Sequence, residues 1–476
     1  MIRIIPQPKC IKETGGLCAN TENISCVNDP SVKSDEEYRL EISSDGIKIY
    51  ASADKGFFYG KMTLRQLMIQ SDGALPCLEI SDSPAFSYRG FMLDSARHMI
   101  SVDEIKKMAD AAAMLKMNKF HWHLSDDQGF RIELLSFPQL TKLGSVRRCD
   151  NFGSMCRSDK EYSGYYTKAQ IKEVIDYCAE RYIDVIPEID MPGHTSAILH
   201  VFPELSCRKE PVEVKTRQGI YKDNLCIGNS ETFVFIKNLL DELCEMFPSE
   251  YFHIGGDEAP DDYRKDCPLC QKAIKDNGLS SSPELQCVFS NEIKDYLKSK
   301  GKKAIVWNDI LKGGRLDKDS IVQRWMDPKN NAFKAANGGN KIIISDFKPN
   351  YFDYPYGMYP LKQVYDFNPT GGRILTDIGR KNIIGTETPL WTEFIDTPER
   401  LEYMTLPRWF AFSENAWSQQ SAKNYKQFKS AAMKLCENLN KNGYHCAPEK
   451  DTDMSLPGRL HDVIKFFRAF LSKVEF

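Results

Sequence analysis

Between residues 90 and 387 the chain returns eight times to one pattern: a short apolar run, a few polar or acidic residues, then a stretch with helical spacing. The runs fall at 90–94, 119–124, 184–188, 251–256, 303–307, 321–325, 341–345 and 383–387. Runs this short and apolar suit strands buried on both faces, and the amphipathic stretches between them suit helices that cover those strands. Ser101-Val102-Asp103-Glu104 opens one such helix with a capping-box pattern, reaching about Lys116, and Thr167 opens another that reaches about Arg181. Eight strand–helix units in series are what an α/β fold of the (β/α)8 barrel type requires. The interval 326–340 is a short crossover between the sixth and seventh runs.

The flanks read differently. Tyr38, Leu40 and Ile42 alternate with polar residues, Ser44-Asp45-Gly46 makes a turn, and Ile47 and Ile49 resume the alternation, which is a hairpin signal. Residues 56–68 then place Phe57, Tyr59, Met62, Leu64, Leu67 and Met68 on one broad helical face. The expected organisation is a small α+β domain over 1–85, closed by Asp82-Ser83-Pro84, a barrel over 86–420, and a helical segment over 421–476 packed on the barrel.

In a (β/α)8 barrel the residues just past each strand converge on one mouth, however far apart they are in sequence. The first run carries Arg89 at its start and Asp94, Arg97 and His98 at its end; the second is followed by Asp126 and Asp127, the third by Asp190 and His194, the fourth by Asp257 and Glu258. The fifth and sixth bring Trp307 and Trp325, the loop after the seventh Tyr351 and Asp353, and the eighth Trp391 and Glu393. Singly, a tryptophan is core, an Arg–Asp pair is structural and a histidine completes a hydrogen-bond network. Together, carboxylates and three tryptophans describe a sugar site, where aromatic faces pack on pyranose C–H and carboxylates take up hydroxyls. Tyr251-Phe252-His253-Ile254-Gly255-Gly256-Asp257-Glu258 is the sharpest of these segments. Adjacent carboxylates cannot ionise equally easily, and acid–base chemistry near neutral pH uses a pair whose pKa values are held apart. An acidic helix N-terminus is the plain alternative.

Composition narrows the partners. A chain of 476 residues with 42% hydrophobic and 27% charged content is of ordinary globular type, and a net charge of −3 offers no basic face for nucleic acid. No apolar stretch approaches the roughly 18 residues of a membrane span, and Pro6 interrupts Met1-Ile2-Arg3-Ile4-Ile5 before a signal-peptide core can form. A cytoplasmic location is expected, although a chain freed of its signal would read the same. The 15 cysteines are odd in number and scattered from Cys10 to Cys446, which suits reduced thiols. Cys267-Pro268-Leu269-Cys270 is half of a metal-binding pattern, but Cys287 is the only cysteine nearby and no second pair follows at finger-like spacing. It is expected to be a solvent-side turn, and neither a metal nor a cofactor is expected.

Four of these segments resemble glycoside hydrolase family 20, the β-N-acetylhexosaminidases: Tyr88-Arg89-Gly90-Phe91-Met92-Leu93-Asp94-Ser95-Ala96-Arg97-His98, His121-Trp122-His123-Leu124-Ser125-Asp126-Asp127, Glu188-Ile189-Asp190-Met191-Pro192-Gly193-His194, and His253 to Glu258. The resemblance runs from about residue 38 to 417 and includes Gly56-Phe57-Phe58-Tyr59-Gly60 of the small domain. It implies retaining, exo-acting hydrolysis of terminal β-linked GlcNAc or GalNAc, in which the substrate's own 2-acetamido carbonyl attacks and forms an oxazolinium ion. By that resemblance Glu258 is the acid and then the base, Asp257 orients the acetamide N–H, Tyr351 holds its oxygen, and His194 with Asp126 forms a relay beside Glu258. Arg89, Asp190, Asp353 and Glu393 would bind the sugar, and Trp307, Trp325 and Trp391 would wall it. A disaccharide-releasing lacto-N-biosidase and a catalytically silent sugar-binding protein remain as alternatives.

Overall fold

The computed structural model describes residues 3–71, 73–153 and 156–471; the outermost residues of both expected flanking segments lie outside the described residues. Eight parallel strands close into a barrel: Tyr88–Asp94, Lys119–His123, Asp184–Glu188, Tyr251–His253, Lys303–Trp307, Ile321–Arg324, Ile342–Ile344 and Ile383–Leu390. Each coincides with one of the eight apolar runs. The short crossover between the sixth and seventh holds the helix Asn331–Gly338, so the strand count stands. Both cap signals also form: Ser101 accepts from the Glu104 N–H at 3.2 Å ahead of the helix Val102–Met114, and Thr167 and Gln170 make a reciprocal capping box ahead of Lys168–Ala179.

The barrel interior is layered. Its lower part is apolar, with Tyr88, Ile186, Ile305, Ile321 and Ile343 in one cluster. Above them, inward-facing positions of the same strands are polar: His121, Glu188, His253, Gln323 and Glu387 are all buried. The larger apolar core lies outside the strands, where they meet the surrounding helices.

The small domain is richer in strands than the sequence suggested. The hairpin Tyr38–Ser43 and Gly46–Ala51 and the helix Asp54–Ile69 form as expected, but Cys10–Cys18, Ile24–Asn28 and Leu75–Asp82 complete a five-stranded mixed sheet. Cys10–Cys18 and Ile24–Asn28 are largely exposed edge strands, so they carry little of the apolar alternation that reveals a strand. The sheet and helix share their core with Trp417 from the barrel side. At the seam Lys116 Nζ lies 2.8 Å from Asp82 Oδ2 with both side chains fully buried. The C-terminal helices Tyr425–Lys441 and Leu456–Leu471 pack on the barrel side of the molecule.

Candidate active site

The mouth of the barrel holds a cavity of about 440 Å³ lined by Arg97, Asp126, Asp190, His194, Asp257, Glu258, Trp325, Tyr351, Asp353, Trp391 and Glu393, together with Phe394, Phe466 and Phe470. Ten of the twelve expected site residues therefore meet there. The two that do not, Arg89 and Trp307, each have a physical reason.

Arg89 sits at the start of its strand, at the opposite end of the barrel, with 1% of its surface exposed. Its guanidinium forks onto Glu36 at 2.7 and 3.1 Å, and also donates to Tyr59 Oη and to the carbonyls of Phe86 and Lys116. It joins the two domains and cannot touch a ligand at the mouth. The arginine that does line the cavity is Arg97, just past the C-terminal end of the same strand. Its guanidinium lies 2.8 Å from Asp126, 3.4 Å from Asp94 and 4.0 Å from Glu393, and over the ring of Trp391. Trp307 is a layer lower: its ring centroid is 6.3 Å from that of Trp391, and its indole N–H donates to Glu188 at 2.9 Å.

Asp257 and Glu258 leave the fourth strand through a backbone that only glycine permits. Gly255 and Gly256 have φ of +64° and +106°; a Cβ on the first would fall 1.7 Å from Asp190 Oδ1 and on the second 2.3 Å from Ile310. Gly256 in turn donates its N–H to Asp190 at 3.0 Å. Glu258 and His194 themselves hold φ of +43° and +53°, left-handed values that cost non-glycine residues on the order of 1–3 kcal/mol and cluster at functional sites. His194 Nδ1 lies 3.2 Å from both Asp126 and Asp127, while its Nε2 points at Glu258, 3.6 Å away, and at Asp257, 4.0 Å away.

The electrostatics follow from this packing. Burial works against a charged His194, but Asp126 and the hydrogen bonds to Asp126 and Asp127 outweigh it and hold the imidazole well above its ordinary range. Asp126 is buried too, yet Arg97 and His194 keep it below the ordinary carboxylate range. Asp257 goes the other way: burial, then the neighbouring Asp190, push it well up, with His194 opposing. Burial likewise lifts Asp190 to about 7 and raises Asp353, whose neighbour Glu393 adds to the effect. Asp257 Oδ1 and Asp353 Oδ1 are both buried with no hydrogen-bond partner among the described residues. They are acceptors facing a cavity, and each lacks a donor.

Tyr351 and Asp353 occupy a loop fixed from behind by Arg408, which is fully buried and donates to the carbonyls of Phe352 and Tyr354 at 2.6 and 2.8 Å. Tyr351 stacks with Trp325 at a centroid distance of 6.2 Å, and Trp325 donates its indole N–H to Asp309 at 2.7 Å. Sequence reasoning did not find Arg408, Phe466 or Phe470. They come from helices, where nothing distinguishes a residue that reaches the mouth from one that packs in the core. Arg97 was visible, at the end of its run, and was set aside for Arg89.

Beneath the cavity lies the polar layer, also unforeseen. His121 Nδ1 is 2.8 Å from Glu387 and its Nε2 3.0 Å from Glu188. Glu188 further pairs with His123, whose Nε2 is 2.9 Å from Asp126. The expectation for Cys267 and Cys270 needs correction as well. Both are buried, not solvent-side, because Cys207 and Cys226 from the loop after the third strand pack against them.

Comparison with known proteins agrees with the fold. The glycosyl hydrolase family 20 catalytic domain matches residues 86–420 and domain 2 of that family matches residues 12–83. A beta-hexosaminidase of Porphyromonas gingivalis is 37% identical over 456 residues, covering 91% of this chain and 57% of that protein. One from Vibrio furnissii is 34% identical over 389 residues, covering 78% and 63%, and one from Akkermansia muciniphila 32% identical over 442 residues, covering 90% and 88%. The chain thus spans somewhat over half the length of the first two relatives. Among solved structures, a beta-N-acetylhexosaminidase superposes with a TM-score of 0.89 at 29% identity, covering 95% of this chain and 99% of that one. An exo beta-N-acetylglucosaminidase from Vibrio harveyi, solved in complex with N-acetylglucosamine, superposes with a TM-score of 0.83 at 27% identity, covering 94% and 78%. The chain belongs to glycosyl hydrolase family 20.

Proposed function

We propose that the protein is a retaining exo-β-N-acetylhexosaminidase that removes terminal β-linked GlcNAc or GalNAc by substrate-assisted catalysis. The observation that carries this reading is Asp257: a side chain buried at the cavity wall, its carboxyl facing His194 Nε2 at 4.0 Å, with one oxygen lacking any donor among the described residues. A 2-acetamido N–H supplies that donor. As the acetamide oxygen bonds to the anomeric carbon the amide becomes an oxazolinium cation, and its positive charge is what the Asp257 carboxylate is placed to offset. Tyr351 completes the cradle by donating to the acetamide oxygen and aligning it for attack.

Glu258 delivers a proton to the departing glycosidic oxygen and, once the aglycone has left, removes one from the water that opens the oxazolinium, restoring the β configuration. His194, protonated between Asp126, Asp127 and Glu258, keeps that carboxyl in place. At the far end of the cavity Arg97, Asp353 and Glu393 meet the outer hydroxyls of one sugar ring and close the pocket behind it, which favours release of a single residue over a disaccharide.

The test pairs two chromogenic substrates. 4-Nitrophenyl N-acetyl-β-glucosaminide is hydrolysed with retention, seen by NMR of the first-formed anomer, while the matching 2-hydroxy glucoside is not. Glu258→Gln lowers turnover of an unactivated disaccharide by about 10²-fold or more, the scale of general acid catalysis. Equal cleavage of the 2-hydroxy glycoside, or an inverted product, refutes the reading.

A further inference from the structure

Four cysteines that play no part in the sugar site converge behind it. Cys207 and Cys226 come from the loop after the third barrel strand, Cys267 and Cys270 from the loop after the fourth and the helix Pro268–Asp276 that follows. Their sulfurs all lie within 4.8 Å of one another, with Cys226–Cys267 and Cys226–Cys270 at 3.6 Å and Cys207–Cys270 at 3.8 Å. A disulfide needs about 2 Å, so these are not bonded pairs. Four thiolates around a zinc ion at about 2.3 Å stand at the corners of a tetrahedron whose edges are about 3.8 Å. Three of the six sulfur–sulfur separations match those edges, and the other three lie within 4.8 Å.

We propose that Cys207, Cys226, Cys267 and Cys270 form a structural zinc site that ties the loop bearing His194 to the loop bearing Glu258. Binding forms four sulfur–zinc bonds and releases four thiol protons, leaving a closed centre of net charge −2 with no open position for substrate. Zinc suits the donor set better than iron because four thiolates, three of them buried, beside a hydrolytic site have no electron to pass.

Independent features of the surroundings fit such a centre. Arg264 is 2% exposed, has no carboxylate among its hydrogen-bond partners, and its Nε has no hydrogen-bond partner among the described residues. A dianionic metal–thiolate centre supplies the counter-charge this cation lacks. The backbone is shaped to bring the sulfurs together: a Cβ on Gly228 would meet Cys270 Cα at 2.6 Å. Cys226 N–H donates to Leu205 at 2.7 Å, and the helix opened by Cys267 has Pro268 in its first turn.

The site also touches the catalytic loops. Arg264 donates to the carbonyls of Ala259 and Pro260, directly after Glu258. Asn224 donates to Pro260 at 2.8 Å, and Leu225 to Pro192, two residues before His194, at 3.0 Å. Metal at this point would hold both left-handed residues against relaxation.

The experiment measures metal in the full-length protein, purified under reducing conditions and passed over a chelating resin. Mass spectrometry of the elements finds about one zinc per chain, and a mercurial titration releases it to a metallochromic dye. Replacing zinc by cobalt gives the intense visible bands of a tetrahedral thiolate centre. Cys270→Ser, or Cys207→Ser should the first fold poorly, loses zinc retention and thermal stability, while Cys26→Ser on the exposed edge strand keeps both. Substoichiometric zinc that added zinc does not restore would overturn the proposal. So would stoichiometric iron, zinc that survives Cys270→Ser unchanged, or two disulfides among these four cysteines.

Discussion

The displacement of Arg89 from the sugar site to the domain seam is best tested against Arg97, because the two arginines share one strand and face opposite ends of the barrel. Arg89→Met removes a guanidinium whose fork on Glu36 is buried and whose remaining donors satisfy Tyr59 and two carbonyls. It also empties the space over the Trp417 ring, 4.9 Å from the guanidinium carbon. Breaking one side of a buried ion pair strands the other charge and typically costs about 3–5 kcal/mol. The double variant Arg89→Met/Glu36→Gln, which no longer strands a charge, recovers part of this loss, and comparison of the double variant with both single variants gives the coupling energy. Arg97→Met should leave the small domain untouched but remove charged donors that face the outer hydroxyls, each worth roughly 1.5–3 kcal/mol, or about 10- to 100-fold in kcat/KM. Urea unfolding followed by tryptophan fluorescence gives the first quantity, and initial rates on 4-nitrophenyl N-acetyl-β-glucosaminide well below the unfolding midpoint give the second. An Arg89→Met protein of unchanged midpoint but tenfold higher KM, beside an Arg97→Met protein that binds normally, would refute the assignment.

Other consequences are equally direct. Asp257→Asn should impair every 2-acetamido substrate whatever its leaving group, with losses of about 10²-fold or more, because the acetamide must be oriented before either step; a variant slow only on poor leaving groups would contradict this. The Asp190 carboxyl is lifted by burial from 3.8 to about 7, so the folded protein binds more protons than the unfolded chain between those values and stability falls as pH rises through that window. The loss is roughly 4 kcal/mol at most, and a urea midpoint that is equally pH-dependent in Asp190→Asn would discount it. Phe466→Ala and Phe470→Ala should raise KM for a chitooligosaccharide several-fold while leaving the 4-nitrophenyl monosaccharide nearly unchanged, since both rings reach the cavity wall from the C-terminal helix and not from a barrel strand; equal effects on both substrates would place them at the sugar itself.

What the sequence disclosed was whatever depends on local period and composition. All eight barrel strands were legible because strands buried on both faces must be apolar throughout, and the strand-end residues came with them, since a barrel has only one mouth. The edge strands Cys10–Cys18 and Ile24–Asn28 were not legible because exposure removes the alternation. Arg89 misled for a related reason: it lies within the same motif as Arg97, and only the direction of the strand tells which end faces the cavity. The four-cysteine cluster escaped because the helix Ser230–Met246 and the strand Tyr251–His253 separate its halves, whereas a finger pattern sets its ligands close in sequence. Phe466 and Phe470 escaped because a helix of aromatic and aliphatic residues looks the same whether it covers a core or a substrate channel.

The polar layer under the cavity explains how so much charge is tolerated in a barrel. Reading upward, Glu387, His121, Glu188, His123, Asp126 and His194 alternate in sign, and each contact along the series is 3.2 Å or shorter. Burial alone would neutralise every one of these groups. Glu387 and Glu188 outweigh burial at His121 and raise it to about 9, and Glu188 together with Asp126 holds His123 well above its ordinary range. Reciprocally, the histidines hold Glu188 below the ordinary carboxylate range. The alternation ends at His194, whose Nε2 faces Asp257 and Glu258. That position makes the last imidazolium a fixed positive charge at the wall of the cavity, supported by the whole series rather than by one partner. A polar layer of this kind contributes little net stability, because ion pairs regain at best what burial removed. Its consequence is positional: no inner member can leave its place without stranding its two neighbours, so Glu258 meets a charge that does not move when the substrate arrives.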